Sequence, residues 1–422
     1  MRRFHGLNRS FNTAMTDNMN ETGKHGVDGT VIVAGGGIVG RTVALALASQ
    51  SHLKVTLLSG PPPAPDERAS AVAASGRRMM IRLGVWPLIA DVAQPMEEMV
   101  LTDSRADDTV RPQVLHVAGE PGADAFAHMV PNGALLKALT ARCAEARMVE
   151  RADSAVIYEE GATSLDCRLG SGERLTANVL VAADGRDSRL REIAGITVVS
   201  KSYDQCGIVG TITHSEPHYA TATQHFLPNG PFAMLPLVDQ HSSIVWTERP
   251  AFARSLVAMD PGLASLEIER VFGMSLGRLC VEPPLQTYPL GAMLARSYHA
   301  GRLVLAGDAA HVIHPLAGQG LNLGLRDAAA LAQCLVEAHR NGEDLALALP
   351  RYEKWRRADT VQMALVTDRL NAIFSQQSDL LRAVRSVGLG FVDRLEGLKS
   401  VFVGEAAGTE GEVPRLMRGE AL

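Results

Sequence analysis

The sequence predicts an α/β fold: a Rossmann-like dinucleotide-binding domain, interrupted by an inserted β-sheet domain and followed by C-terminal helices. Three observations predict it. The apolar run Thr30-Val31-Ile32-Val33-Ala34 leads into Gly35-Gly36-Gly37-Ile38-Val39-Gly40 and a small apolar helix. A second strand, Gly-rich loop and helix lie between Gly301 and Leu331. Between the two, Met99–Val117 and Ile208–Trp246 alternate polar and apolar residues, as a half-buried sheet does.

The elements follow in order. Residues 1–27 are polar and aperiodic and read as a tail. Arg2-Arg3 has no apolar stretch after it, so no secretory signal is expected. Asp17, Glu21 and Asp28 disfavour a transit peptide, and Met15 or Met19 is an alternative start. The first strand and G-x-G-x-x-G form the opening of a βαβ unit. Gly35 permits the tight turn, Gly37 lets the backbone reach a pyrophosphate, and Gly40 brings helix and strand together. The second strand, Lys54–Leu58, ends at Ser59, where a ribose-binding carboxylate is expected. A hydroxyl is the weaker partner. Asp66 and Glu67 are the expected substitutes, and a Glu at position 59 is expected to be tolerated.

A helix closes at Leu83-Gly84, and Asn132 opens another that runs to Ala146. Asp153–Thr176 reads as two or three strands. Val179–Ala183 is a buried strand ending at Asp184-Gly185. Leu303–Ala306 is another, ending at Gly307-Asp308. A loop with His311, His314, Pro315, Gly318 and Gly320 then opens a helix at Leu321-Asn322. A carboxylate that accepts from hydroxyls, beside a helix start that attracts negative charge, suits a polyol joined to an electron-rich ring. Helical spacing returns at Tyr352–Asn371 and Leu380–Leu398.

Composition removes other classes. A net charge of −5 gives no basic surplus for nucleic acid. With 46% hydrophobic and 21% charged residues the chain is globular, and no apolar run nears the ~18 residues that span a bilayer. Cys143, Cys167, Cys206, Cys280 and Cys334 are scattered without a CxxC pair, so neither disulfide framework nor metal site is expected. Free thiols fit a cytoplasmic location.

The stretch GDAAHVIHPLAGQGLNLGLRDA, from Gly307, resembles the second flavin fingerprint of class A flavoprotein monooxygenases of the p-hydroxybenzoate hydroxylase fold. Its HPLAGQGLNLG form is most similar to the ubiquinone-biosynthesis hydroxylases. Asp66-Glu67-Arg68-Ala69-Ser70-Ala71-Val72 resembles their D-x-R-x-x-A segment, and Asp184–Arg191 their D-G-x-x-S-x-x-R motif. Asn132 with Leu135, and Gln224–Leu237, are similar to further stretches of that family. The resemblance covers Thr30 to Gly404.

It implies an FAD-binding domain of the p-hydroxybenzoate hydroxylase / glutathione reductase type at 28–95, 127–192 and 287–345. The substrate sheet takes 96–126 and 193–286, the C-terminal helices 346–404, and a loose tail 405–422. FAD is expected to meet Gly35, Gly37, Ile38, Val39, Gly40, Ser59, Arg68, Asn132, Asp184, Gly307, Asp308, Pro315, Gly318, Gly320, Leu321 and Asn322. The implied reaction uses O₂ through a flavin C4a-hydroperoxide to hydroxylate the ring of a polyprenylated ubiquinone precursor. Electrons come from NAD(P)H directly or through a reductase or ferredoxin, since the chain has no second G-x-G-x-x-G. Phe226, Phe232, Met234 and Trp246 are candidates to line an apolar cleft, with a core position the better reading for any single one. His225, His311 and His314 are candidates for proton transfer, with none singled out. Two further readings stay open: an enzyme of this fold acting on a soluble phenol or reducing prenyl groups, and an FAD-containing scaffold subunit. Membership of a ubiquinone-biosynthesis complex and peripheral membrane contact fit a prenylated substrate.

Overall fold

The computed structural model describes residues 29–61, 66–103, 108, 111, 113–118, 125–314, 319–374, 408 and 411–422. Pro315, Gly318 and the helix expected at Leu380–Leu398 lie outside the described residues. A six-stranded sheet runs in the order His299–Ala300, Leu303–Leu305, Val179–Ala182, Thr30–Ala34, Lys54–Leu58, Met148–Arg151. All its pairings are parallel except that of His299–Ala300. Parallel sheets are covered on both faces, which is why these strands are apolar at nearly every position. Val31, Ile32, Val33 and Val179–Val181 are buried accordingly.

Two helices of this layer, Ile38–Gln50 and Gln319–Arg340, cross closely. The crossing depends on small residues. A Cβ on Gly324 would lie 2.6 Å from Val39 Cγ2, and one on Gly307 3.1 Å from the same side chain. Helix Ala74–Arg82 ends at Gly84, whose φ of +71° lets its N–H reach Ile81 O. Strands Ala155–Glu160, Leu165–Leu169 and Arg174–Ala177 form a small separate sheet.

The second large sheet has eight strands. Their order is His311–Val312, Leu279–Ala295, Val198–His214, His241–Glu248, Gly230–Leu237, Thr221–Leu227, Glu98–Asp103, Gln113–Ala118. One face carries Ile208, Ile212, Phe232, Met234, Ile244 and Trp246 and packs in one core with residues of helices Pro250–Val257 and Pro261–Phe272. On the other, Ala222, Leu235 and Leu237 share a core with Met99, Ala69, Ala71 and Met129. The last three belong to a three-stranded sheet of Ala69–Ala73, Ala127–Pro131 and Gln94–Met96, which adjoins the parallel layer.

This decides between the two readings of the sheet's large apolar residues. Phe226, Phe232, Met234 and Trp246 do not line an open cleft; they are 5%, 0%, 2% and 2% exposed. Strand alternation sends Phe232, Met234 and Trp246 to the helix-backed side. Leu235 and Leu237 hold the opposite face and stay partly exposed.

Candidate functional site

Three loops meet at the C-terminal end of the parallel strands, where sheets of this kind bind ligands. Gly35 has φ +134°, and a Cβ there would sit 2.0 Å from Ala183 O. The Gly-rich turn is therefore packed on the loop that carries Asp184. A Cβ on Gly40 would lie 2.0 Å from Gly35 O, so only glycine lets the helix approach this turn. Gly37, by contrast, caps the Ile38–Gln50 helix and has no neighbour within 4 Å of a Cβ. Gly320 lies in the first turn of the Gln319–Arg340 helix and likewise has no neighbour within 4 Å of a Cβ among the described residues. Ile38, Val39 and Leu321 pack their side chains on the main core, leaving backbone at both helix starts to meet a ligand.

Asp308 stands on the one-turn helix Gly307–Ala309, and its side chain opens to solvent. The protein around it disfavours charge and raises its carboxyl above the usual range, with His311, Arg68 and Arg186 opposing. Gly307 has φ +63° and donates its N–H to Asp327 Oδ2 at 3.0 Å. Arg191, the last residue of the D-G-x-x-S-x-x-R stretch, donates to Arg186 O at 2.9 Å and Ala309 O at 3.0 Å. It thereby locks the Asp184 and Asp308 loops together. Asp184 itself accepts from Ser188 Oγ at 2.5 Å and Leu190 N at 3.3 Å, fixing the start of helix Arg189–Ile193.

Arg68 pairs with Asp66 through Nε at 2.7 Å and Nη2 at 2.8 Å. Asn132 Nδ2 donates to the same carboxylate at 2.9 Å, and Ser70 Oγ donates to Asn132 Oδ1 at 2.7 Å. The Arg68 guanidinium lies 5.9 Å from the centre of the Tyr288 ring, so this chain of contacts reaches the eight-stranded sheet. Asp66 is held below the usual carboxylate range by Arg68 and Asn132, although burial opposes them. Its two oxygens are engaged by Arg68 and Asn132.

Asn322 accepts from Ala73 N at 3.0 Å and donates to Ala71 O at 2.8 Å. Its side chain ties the helix start to strand Ala69–Ala73; only its backbone is left for a ligand. The three histidines differ in role. His225 accepts from Thr102 Oγ1 at 2.7 Å and donates to Phe272 O at 3.2 Å, and burial pushes it down to about 4. It is a neutral core histidine. His311 donates to Asp327 Oδ2 at 2.5 Å. His314 is fully buried, edge-on to Tyr203 with centroids 5.0 Å apart, and burial pushes it to about 4. Neither of its ring nitrogens has a partner among the described residues.

Two groups were missed by sequence reasoning. Asp327 and Arg356 are both wholly buried and pair at 2.8 Å beneath the Gly307 turn. A lone Asp on the apolar face of a helix was the available signal. Arg41 and Glu150 pair near Ser59, at 3.0 and 2.8 Å. An Arg directly after the Gly-rich turn, in an otherwise apolar helix, was the hint there. A cleft of about 290 Å³ opens between Gly36, Arg41, Ser59, Gly60, Leu136, Thr140 and Glu150.

The glycines facing open space at two helix starts, with a carboxylate exposed on the adjoining loop, fit a dinucleotide carrying a polyol and a ring. Known proteins agree. A family profile described as "FAD binding domain" matches residues 28–367. The ubiquinone hydroxylase UbiL of Rhodospirillum rubrum is 37% identical over 406 residues, covering 93% of each chain. The 3-demethoxyubiquinol 3-hydroxylase of Escherichia coli is 36% identical, covering 87% of this chain and 96% of its own. In fold the chain is similar to p-nitrophenol 4-monooxygenase PnpA of Pseudomonas putida DLL-E4, with a TM-score of 0.75 at 18% identity. That likeness covers 92% of this chain and 99% of the other.

Proposed function

The chain belongs to the FAD-binding family that contains the ubiquinone hydroxylases, and from that premise we propose that it hydroxylates the aromatic ring of a polyprenylated ubiquinone precursor with O₂. The observation that carries this reading is the pair of open helix starts at Gly37 and Gly320, joined to the Asp308 loop. Backbone N–H groups at Gly37 hold the pyrophosphate, and Asp308 accepts from a ribityl hydroxyl. The helix start at Gly320-Leu321-Asn322 stabilises negative charge on the isoalloxazine ring, with Asn322 fixing it against the Ala69–Ala73 strand. Arg68 and Asp184 complete the polar surround. Reduced FAD supplies the activation of O₂.

The protein's own task is to admit an electron-rich ring and exclude water. The face of the eight-stranded sheet that carries Leu235 and Leu237, away from its helices, is apolar and supports that role. Electrons come from NAD(P)H, directly or through a partner reductase or ferredoxin. No described helix is long and apolar enough to cross a membrane. In this reading a prenylated substrate is met at a membrane surface or within a biosynthetic assembly, from the cytoplasmic side. The domain division at residues 28–95, 127–192 and 287–345 for FAD, and 96–126 and 193–286 for substrate, belongs to the same proposal.

The test is isotopic. Purified protein, a reductant and a prenylated phenol are incubated under ¹⁸O₂. Label on the product ring, with the prenylated phenol outcompeting p-hydroxybenzoate, is expected. Label arriving from H₂¹⁸O, or equal use of p-hydroxybenzoate, overturns the assignment.

A further inference from the structure

Ser59 ends the second strand of the dinucleotide fold, where a carboxylate ordinarily binds the adenosine ribose. We infer that Glu150, on the neighbouring strand, supplies that carboxylate instead, positioned by Arg41. The inference rests on the FAD site proposed above. Strand Met148–Arg151 runs parallel to Lys54–Leu58 with Glu150 opposite Leu57, so Glu150 lies level with the strand end. Its carboxylate lines the same cleft as Gly36, Ser59, Leu136 and Thr140. That cleft is bounded by the Gly-rich turn and the strand end, which places it at the adenosine end of the ligand.

The geometry of the carboxylate suits the role. Arg41 Nη1 donates to Oε2 at 3.0 Å and Nη2 to Oε1 at 2.8 Å, while Arg41 Nε donates to Gly36 O at 3.0 Å. The arginine side chain is 9% exposed and that of Glu150 33%, so the arginine is the buried anchor and the carboxylate faces the cleft. The Ser59 hydroxyl donates to Arg151 O at 3.2 Å on the same strand, and Arg41 holds the Glu150 carboxyl below the usual carboxylate range although burial opposes it. A carboxylate oxygen with one donor retains a second lone pair, which is what a ribose hydroxyl requires. The arrangement also settles specificity. An arginine beside Ser59-Gly60 on its own would match the pattern that accommodates a 2′-phosphate. With Glu150 on its fork, the site presents an acceptor to a 2′-hydroxyl and repels a phosphate.

The experiment uses the apoprotein, with binding read from quenching of flavin fluorescence. FAD is compared with the analogue lacking the 2′-hydroxyl of its adenosine ribose. The wild-type protein is expected to bind FAD roughly 10- to 150-fold more tightly, the range for a hydrogen bond to a charged group. Glu150→Gln is expected to lose affinity for FAD and to bind both flavins alike. A variant that keeps the full preference overturns the inference. So does a wild-type protein that shows no preference, which decides the matter even where the variant fails to fold. A wild-type apoprotein that binds neither flavin overturns the FAD site itself.

Discussion

The Asp308 side chain opens to solvent from a turn whose backbone is pinned by Asp327 and Arg191. Asp308→Ala removes the acceptor without touching those anchors. FAD affinity is expected to fall by about 1.5–3 kcal/mol, read as a higher dissociation constant and a colourless preparation. Ser59 gives a different lesson. Its residue type alone suggests that a Glu would be welcome there, and it names Asp66 and Glu67 as substitutes. The structure engages Asp66 with Arg68 and Asn132 and places Glu150 and Ser59 at one cleft. Pairing between strands that lie some ninety residues apart carries no local pattern, so this was illegible. Ser59→Glu would press two carboxylates together and is expected to weaken FAD binding by about 1 kcal/mol or more, by titration of the apoprotein. His225 offers a pH test. Burial holds it at about 4 when folded, against ~6.5 in the unfolded chain. The unfolded state then binds the extra proton first, so stability is whole above ~6.5 and is lost as pH falls towards 4. Urea unfolding at pH 7.5 and pH 5 should differ by up to about 2 kcal/mol from this residue. His225→Leu should shrink that difference, whatever it costs at pH 7.5.

At the scale of elements, the crossing of helices Ile38–Gln50 and Gln319–Arg340 joins the first Gly-rich turn to the second. A Cβ on Gly324 would meet Val39 Cγ2 at 2.6 Å. Gly324→Ala is therefore expected to destabilise the protein by about 1–3 kcal/mol, as overpacking does. Val39→Ala in the same chain removes the offending methyl and should recover part of the loss, measured as a double-mutant cycle in thermal or urea unfolding. The strands and helices of this layer were legible in the sequence because each is a contiguous apolar run or a 3.6-residue stripe bounded by glycine. Which face of the eight-stranded sheet looks where was not. Phe232, Met234 and Trp246 alternate with Leu235 and Val245 in a pattern that reads equally well either way up. The choice is made by helices Pro250–Val257 and Pro261–Phe272, which cover the aromatic side. Likewise, histidines near a Gly-rich loop or in a pocket-like strand invite a catalytic reading, yet His311 is committed to Asp327 and His225 to the core.

The molecule as a whole joins its two large sheets through the three-stranded sheet of Ala69–Ala73, Ala127–Pro131 and Gln94–Met96. The parallel sheet presents loop ends and helix starts, polar and suited to a dinucleotide. The eight-stranded sheet turns its helix-backed face away and presents Leu235 and Leu237 beside Met99, Ala69 and Ala71. Arg68 over Tyr288 is a point where the two meet. On the proposed function, a substrate ring would lie with its reacting edge on the cofactor side and its apolar substituents along the sheet. A prenyl chain laid on that face is withdrawn from water at about 0.8 kcal/mol per buried CH₂, roughly fourfold in affinity. KM should then fall as prenyl units are added and level off once the chain outgrows the sheet. Leu235→Gln puts an amide on that face, where an apolar chain offers it no hydrogen bond. It is expected to raise KM for the prenylated phenol several-fold while changing that for the unprenylated ring little. A KM independent of chain length, or one that Leu235→Gln raises equally for both substrates, would show that the tail leaves the protein without crossing this sheet.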